Sequence, residues 1–317
     1  MNLPRCLPTL AAVVMLVLVP GCEHGNGNGN GKDPDPASVL QKDWLAMVDT
    51  IHDIKSQTSQ DGGIIIGFAD DISGSAGGTG IPRVTLDDLK PAIERIQRTG
   101  GEIALATISD RRDESLIRLR VLPPPILPPK LQGFDETTPT EETFKCLVVL
   151  DSKIWTDKAV CDKQGEKGTT IRSDAKHVRD LLKTVPSDVA KSRKNRKQWQ
   201  DDTKTAIDKF NPAAQKLLTR PIGGDTDLCR PFNRLALFMK EPSGWLGESA
   251  VMRAVILSTD GEETVRPDCQ LDPLPDGTDL YLINCATPCA LDRLKPQYYE
   301  SFSAALDAAI RKKVSTQ

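Results

Sequence analysis

The stretch IIIGFADDISGS, residues 64–75, changes from apolar residues to adjacent carboxylates and then to small hydroxyl residues. A continuous apolar run such as its first half is typical of a strand buried on both faces of a parallel sheet. Asp71, Ser73 and Ser75 alternate in the bend that follows, so a tight turn can direct their oxygen atoms towards one point. We interpret the preceding Asp70 as the solvent-exposed end of the strand.

Further strands and helices are predicted before and after the central region of the sequence. An amphipathic helix at 85–101 leads into a second apolar strand at 103–110, and the alternating residues 116–122 predict an edge strand with one solvent-facing side. Two more apolar runs, at 254–257 and 280–284, precede a closing amphipathic helix. Strands that alternate with helices predict the α/β class, as a doubly wound, mostly parallel sheet flanked by helices.

The region 123–221 differs in composition from the segments on either side of it. It begins with PPPILPP, which is incompatible with helix and sheet interiors. We predict one more strand at 144–151, and helical structure over 175–218 with breaks at Pro186 and Pro212. The region is therefore interpreted as a large Pro-rich and helical insertion, either a cap beside a binding site or a separate lobe.

The segment KSRKNRK, residues 191–197, concentrates positive charge within the predicted helical region. Its cations are Lys191, Arg193, Lys194, Arg196 and Lys197. Two interpretations remain open. The run is either the solvated face of a helix, or a contact surface for anionic lipid, cell-wall polymer or an acidic protein.

The first 22 residues have the pattern of an export signal, with an early Arg5 and an apolar run too short to span a bilayer as a mature helix. Their ending, VPGC, resembles the lipobox of bacterial lipoproteins. This resemblance implies lipidation of Cys22 and anchoring in the cell envelope, and Glu23 favours the outer membrane, on its periplasmic or surface face. An ordinary secretory cleavage or an uncleaved anchor is the alternative. Residues 23–41 predict a disordered tether.

Cysteine usage agrees with an exported protein. Once Cys6 and Cys22 are set aside with the N-terminal segment, an even set of disulfide candidates remains: Cys146, Cys161, Cys229, Cys269, Cys285 and Cys289. Such a set predicts disulfides, whose connectivity the sequence leaves open. A thiolate metal site is disfavoured, because the sequence has no CxxC pair.

Three predicted loops carry small oxygen ligands. The first contains Asp71, Ser73 and Ser75, the second contains Thr226, and the third contains Asp260. Ligands collect at the carboxyl ends of strands in open α/β sheets. Because carboxylate and hydroxyl oxygens suit Mg²⁺, the loops predict a divalent-cation site.

These loops, in this order and on these elements, resemble the metal-ion-dependent adhesion site of von Willebrand factor type A (vWA) domains. The resemblance covers about residues 63–122 and 222–311 and assigns the two parts of the domain to 42–122 and 222–317. It implies Mg²⁺, or else Mn²⁺ or Ca²⁺, held by Asp71, Ser73, Ser75, Thr226 and Asp260. In that family one metal position stays open for a carboxylate of a partner protein.

The resemblance implies a binding module rather than an enzyme: an extracytoplasmic lipoprotein whose cation coordinates an acidic residue of a partner protein. The GxSxG nucleophile elbow and the phosphate-binding P-loop are both absent from the sequence. No nucleic-acid partner is expected, because the formal charge is −3 and the isoelectric point about 5.8. A metal-assisted hydrolase and a structural lipoprotein with an empty, degenerate site remain the alternatives.

Overall fold

The computed structural model describes residues 35–56, 62–78, 82–109, 115–151, 158–165, 169–246, 251–265, 268–285 and 289–311. The predicted signal segment 1–22 and Cys22 lie outside these residues. The helices and strands are, in chain order, α1 (Pro36–Ser56), β1 (Ile64–Asp71), α2 (Gly74–Gly78), α3 (Lys90–Thr99), β2 (Gly101–Ile108), β3 (Ile117–Val121), α4 (Pro129–Gln132), α5 (Glu141–Asp151), α6 (Ile171–Leu218), α7 (Cys229–Lys240), β4 (Met252–Ser258), β5 (Thr278–Ile283), β6 (Gln297–Tyr299) and α8 (Phe302–Arg311).

The chain divides into two compact units. The helical unit comprises the described residues up to Ser56 together with Leu127–Arg193, and the sheet unit comprises those of Gln57–Ile126 and Lys194–Gln317. Helix α6 contributes residues to both units. Within the described ranges, no helix has the combination of length and apolar character that crossing a membrane requires.

The sheet unit is built on six strands in the order β3-β2-β1-β4-β5-β6 within its described residues. All neighbouring strands pair in parallel except β3, which is antiparallel to β2 at one edge. Strand β1 lies in the middle and pairs with β2 on one side and β4 on the other. The α/β class, the buried strands and the edge strand are thereby confirmed.

Alternate side chains of β1 enter two different apolar cores. Ile64, Ile66 and Phe68 belong to the core that includes residues of α3, α8 and the later part of α6. Ile65 and Ala69 belong to the core that includes α7. A strand buried on both faces has to be apolar along its whole length, which is why the first half of residues 64–75 lacks alternation.

The helical unit has its own core, formed by α1, α4, α5 and the first part of α6. Trp44 is 2% exposed and contacts Phe134, with 5.5 Å between the ring centroids. Phe144 and Leu147 of α5 and Val185 of α6 are buried in the same core.

The predicted disordered tether to Gln41 is too long at its C-terminal end, because α1 begins at Pro36. The backbone N–H of Ala37 donates to Asp35 Oδ1 at 3.3 Å, so Asp35 caps the helix and Pro36 occupies a position that needs no amide donor. Burial of Ala37 and Trp44 in the helical unit then holds this end of the helix in place.

The strand predicted at 144–151 is wrong, because these residues belong to helix α5. The Oγ1 atom of Thr140 accepts a hydrogen bond from the backbone N–H of Thr143 at 3.3 Å at the start of the helix, and Glu141 and Glu142 lie in its first turn. A short apolar run fits a buried strand and a buried helix equally well by periodicity alone.

The predicted breaks at Pro186 and Pro212 are also wrong, because α6 is continuous from Ile171 to Leu218. A proline inside a helix costs about 3 kcal/mol, whereas a fully buried aliphatic or aromatic side chain contributes about 1.5–3 kcal/mol. Val185 and Val189 are buried beside the first proline, and Phe210 and Ala214 beside the second. Packing of several such residues outweighs the cost of each proline.

The two units divide the chain differently from the predicted domain boundaries. Residues 42–56, predicted as part of the vWA-like domain, belong to α1 and to the helical unit. Residues 194–221, predicted as part of the insertion, belong to the sheet unit. The reason lies in α6, whose later part supplies Phe210, Ala214 and Leu217 to a core of the sheet unit.

Candidate functional site

The first and third loops lie side by side because β1 and β4 are parallel neighbours. Asp70 of β1 is in register with Ser258 of β4, so the residues that follow each strand leave the same edge of the sheet. Strands β2 and β3 lie on one side of β1, and β4, β5 and β6 lie on the other. This edge is therefore the topological switch point, where α/β sheets bind ligands.

The first loop brings its three predicted ligands together. The backbone N–H of Ser73 donates to Asp71 Oδ1 at 2.9 Å, which closes a tight turn around the carboxylate. The hydroxyls of Ser73 and Ser75 are 3.1 Å apart. Asp71 and Ser73 are buried, so their oxygens are held in fixed positions.

The second loop contacts the first through backbone and side chain. The hydroxyls of Ser75 and Thr226 are 3.2 Å apart. Gly74 N–H donates to Gly224 O at 3.0 Å, and Gly223 N–H donates to the carbonyl that precedes Ser73 at 2.9 Å. The four predicted ligands of these two loops, Asp71, Ser73, Ser75 and Thr226, therefore form one connected cluster.

The third loop joins the same cluster through Thr259, which was not among the predicted ligands. Thr259 Oγ1 donates to Asp71 Oδ2 at 2.7 Å, and this hydroxyl accepts the Gly261 N–H at 3.0 Å. Asp260 lies between them and accepts the Glu262 N–H on Oδ1 at 3.0 Å. Its buried Oδ2 has no hydrogen-bond partner among the described residues.

Burial raises the pKa of Asp71 above its ordinary value, although the hydrogen bonds from Ser73 and Thr259 oppose this shift. The negative charge of Asp260 raises the pKa of Asp71 further. A carboxylate whose pKa is raised, next to a second one with an unpartnered buried oxygen, forms a site that a cation would stabilise.

The neighbouring Asp70 is not the solvent-exposed strand end that we predicted. It is 1% exposed, and Arg83 Nε donates to its Oδ2 at 2.7 Å. The same guanidinium donates to the carbonyls of Leu218 at 2.7 Å and Arg220 at 3.1 Å. Burial raises the pKa of Asp70 to about 6, and the Arg83 charge limits that rise. Asp70 therefore connects the end of β1, through Arg83, to the C-terminal end of α6 and the residues that follow it.

The cluster contains fewer strong metal ligands than many metal sites. Among the described residues, no three His, Cys, Asp or Glu side chains are grouped so that they could hold an ion. The five predicted ligands include only two carboxylates, Asp71 and Asp260, and three neutral hydroxyls. The donor set is thus one of hard oxygen atoms, which suits Mg²⁺ or Mn²⁺ better than zinc or copper.

No protein-family model, curated protein or solved structure matches the chain. Its function has to be inferred from the geometry of the site.

The six cysteines predicted to form disulfides are joined in pairs. The pairs are Cys146–Cys161 in the helical unit, and Cys229–Cys269 and Cys285–Cys289 in the sheet unit. The two in the sheet unit adjoin the loop cluster, since Cys229 follows Thr226 by three positions and the sulfurs of the third pair lie where a Cβ atom at Gly261 would be.

The cationic run on α6 is largely exposed. Lys191, Arg193, Lys194 and Lys197 are solvent-facing, and the guanidinium of Arg196 lies 5.5 Å from the ring centroid of Trp199. This exposure is what a solvated helix face requires. Binding of an anionic surface by the same residues stays a prediction.

Proposed function

We propose that the sheet unit is a vWA-type domain and acts as a divalent-cation-dependent protein-binding module. The observation that carries this proposal is the convergence of three loops, distant in sequence, on one cluster of hydroxyl and carboxylate oxygens. The six-stranded sheet with helices on both faces is the fold class that this assignment requires.

The residues proposed to hold the cation are Asp71, Ser73, Ser75, Thr226 and Asp260. Adjacent ligand oxygens of an octahedral Mg²⁺ site are about 3 Å apart. The hydroxyl pairs Ser73–Ser75 and Ser75–Thr226 have separations of 3.1 and 3.2 Å. The unpartnered Oδ2 of Asp260 supplies a buried acceptor that lacks any donor within the described ranges. The spacing and chemistry of these oxygens fit a hard divalent cation.

A bound cation of this kind supplies a positive centre that accepts further oxygen ligands. The proposed ligands are two carboxylates and three neutral hydroxyls, so the total charge of these ligands does not exceed that of the ion in magnitude. A site with this balance can take one more anionic oxygen without strong repulsion. We therefore infer that the partner is a protein that presents a carboxylate, and that the chain's own role is to bind rather than to catalyse.

The cellular context is inferred from the sequence pattern. We propose export, lipidation at Cys22 and attachment to the outer membrane, with the segment before α1 as a tether. Loss of a Cys22→Ser variant from the membrane fraction would support the anchor. Retention of that variant would contradict it.

The metal site is tested by calorimetric titration of Mg²⁺ and Mn²⁺ into the chelator-treated full chain. We expect saturable binding that Asp260→Asn and Asp71→Asn each weaken by at least about 10-fold, since both remove charge from the proposed ligand set. The matched control is Asp276→Asn, which changes an exposed aspartate of the same unit. Absence of binding by the unmodified chain, or equal affinity in Asp260→Asn, would contradict the proposal.

A further inference from the structure

The disulfide Cys285–Cys289 lies directly against the third loop of the site. Gly261 follows Asp260 immediately and has a φ of +82°. A Cβ atom at Gly261 would be 2.7 Å from Cys289 Sγ and closer still to Cys285 Sγ. The two sulfurs therefore occupy the space beside the Gly261 Cα, and only glycine fits there.

Backbone hydrogen bonds connect the same two segments. Thr259 N–H donates to Ile283 O at 3.1 Å, two residues before Cys285. Thr259 also receives the Gly261 N–H on its hydroxyl. Asp260 is thus enclosed between one residue fixed to β5 and one residue packed on the disulfide.

The size of the loop that this disulfide closes argues for a local role. Cys285 and Cys289 are separated by 4 positions, compared with 40 for Cys229–Cys269 and 15 for Cys146–Cys161. In the chain-entropy account, a disulfide stabilises the fold more as the closed loop grows longer. The Cys285–Cys289 disulfide closes the shortest of these loops and so adds least to the stability of the fold. Positioning of the adjacent Gly261 is therefore the better explanation for this disulfide.

We propose that the Cys285–Cys289 disulfide positions Asp260 for cation binding, so that its reduction lowers the affinity of the site for divalent cations. This inference rests on the proposed function.

The reductant is an external dithiol. One of its thiolates attacks the half-buried Cys285 sulfur, and Cys289 leaves as a thiolate that takes up a proton. The second thiol of the reductant then closes its own disulfide, which frees Cys285, so two electrons and two protons pass to the chain.

Removal of the disulfide should lower the cation affinity more than a general loss of stability would, because only Gly261 separates the disulfide from Asp260. Outer-shell changes at metal sites lower metal affinity by about 10–100-fold. We expect a loss of this size when the disulfide is removed. The Cys146–Cys161 pair lies in the other unit and provides a matched control.

The test is calorimetric titration of Mn²⁺ into the full chain in four forms: unmodified, Cys285→Ser/Cys289→Ser, Cys146→Ser/Cys161→Ser, and unmodified chain after reduction by dithiothreitol. We expect affinity to fall at least about 10-fold in the first double variant and in the reduced chain, and to stay within about twofold in the control. Reoxidation should restore the affinity of the reduced chain. Reduction should have no added effect on Cys285→Ser/Cys289→Ser.

The outcomes separate this inference from the proposed function. If the unmodified chain binds Mn²⁺ and Asp260→Asn does not, but Cys285→Ser/Cys289→Ser binds with unchanged affinity, only the positioning role is overturned. If the unmodified chain does not bind Mn²⁺, the proposed function is overturned and this inference with it. If that double variant fails to fold, reduction and reoxidation of Cys229→Ser/Cys269→Ser keep the inference testable, because Cys285–Cys289 is then the disulfide left in the sheet unit.

Discussion

Thr259 Oγ1 donates a 2.7 Å hydrogen bond to Asp71 Oδ2, joining residues that are 188 positions apart in the sequence. The parallel pairing of β1 with β4 brings them together, because each residue lies where its strand ends. The same hydroxyl accepts the Gly261 N–H, so it connects the first loop with the third. Thr259 is thus the side chain that fixes the two proposed carboxylate ligands relative to each other.

Thr259→Val should destabilise the fold. Removal of the hydroxyl leaves Asp71 Oδ2 and the Gly261 N–H without this partner at a fully buried position. Loss of one partner of a buried hydrogen bond costs about 1–3 kcal/mol, or somewhat more when the partner is charged. The free energy of unfolding, measured by denaturant titration in the presence of chelator, should fall by this amount.

Thr259→Ser is the matched control, since it keeps the hydroxyl and removes only a methyl group. It should recover most of the stability lost in Thr259→Val. Unchanged stability of Thr259→Val would show that the hydrogen bond does not matter, and a larger loss in Thr259→Ser than in Thr259→Val would show that packing of the methyl group matters more.

The fold class could be predicted from the sequence because the central strands are apolar along their whole length. Burial on both faces by two helix layers demands such runs, and few other structures accommodate them. The apolar run at 144–151 failed as a strand for the converse reason, since a helix buried in a core also needs apolar residues. What distinguished it was the cap at Thr140 and the acidic first turn, which precede the run.

The three loops of the candidate site were predictable as neighbours, because each follows an apolar strand or precedes a helix. Their supporting contacts were not. Asp70 is paired with Arg83, and Asp71 with Thr259, through register and loop positions that exist only in the folded chain. The linear sequence contains no signal for such pairings. We therefore predicted a solvent-exposed Asp70, whereas the folded chain buries it.

As the pH rises from about 4 to about 7, Asp70 should contribute a loss of stability to the metal-free chain. Its pKa is raised from 3.8 to about 6 in the folded state, so the folded chain holds this proton more tightly than the unfolded chain does. The Asp70 contribution is therefore fully present below about pH 4 and is lost as the pH rises through 6. At roughly 1.4 kcal/mol for each pKa unit, it amounts to about 3 kcal/mol.

Asp70→Asn should flatten this part of the profile, measured as the free energy of unfolding in chelator-containing buffer across the same pH range. The exposed Asp276→Asn should follow the unmodified chain. If Asp70→Asn and the unmodified chain gave parallel profiles, the folded-state pKa of Asp70 would not be raised.

Gly261→Ala should destabilise the fold more than Gly277→Ala. Both glycines have a left-handed φ, +82° and +78°, so either alanine incurs a backbone penalty of about 1–2 kcal/mol. A Cβ at Gly277 meets nothing within 4 Å, whereas one at Gly261 meets the sulfurs of Cys285 and Cys289. Steric overlap adds about 1–3 kcal/mol at Gly261 alone, and unfolding free energies of the two variants measure the difference. Equal losses would mean that the disulfide does not pack on the loop.

A carboxylate should compete with water at the proposed cation, and a neutral amide should not. The two negative charges of the five proposed ligands only balance the charge of the ion, so one anion can be added without strong repulsion, and it is attracted to the cation more strongly than a neutral oxygen is. In the full chain loaded with Mn²⁺, acetate at about millimolar concentration or above should lower the water-proton relaxation rate, since it replaces a bound water. Acetamide, similar in size and uncharged, is the matched control. An equal response to both probes would contradict recognition of a partner's carboxylate, even if the cation itself binds at Asp71 and Asp260.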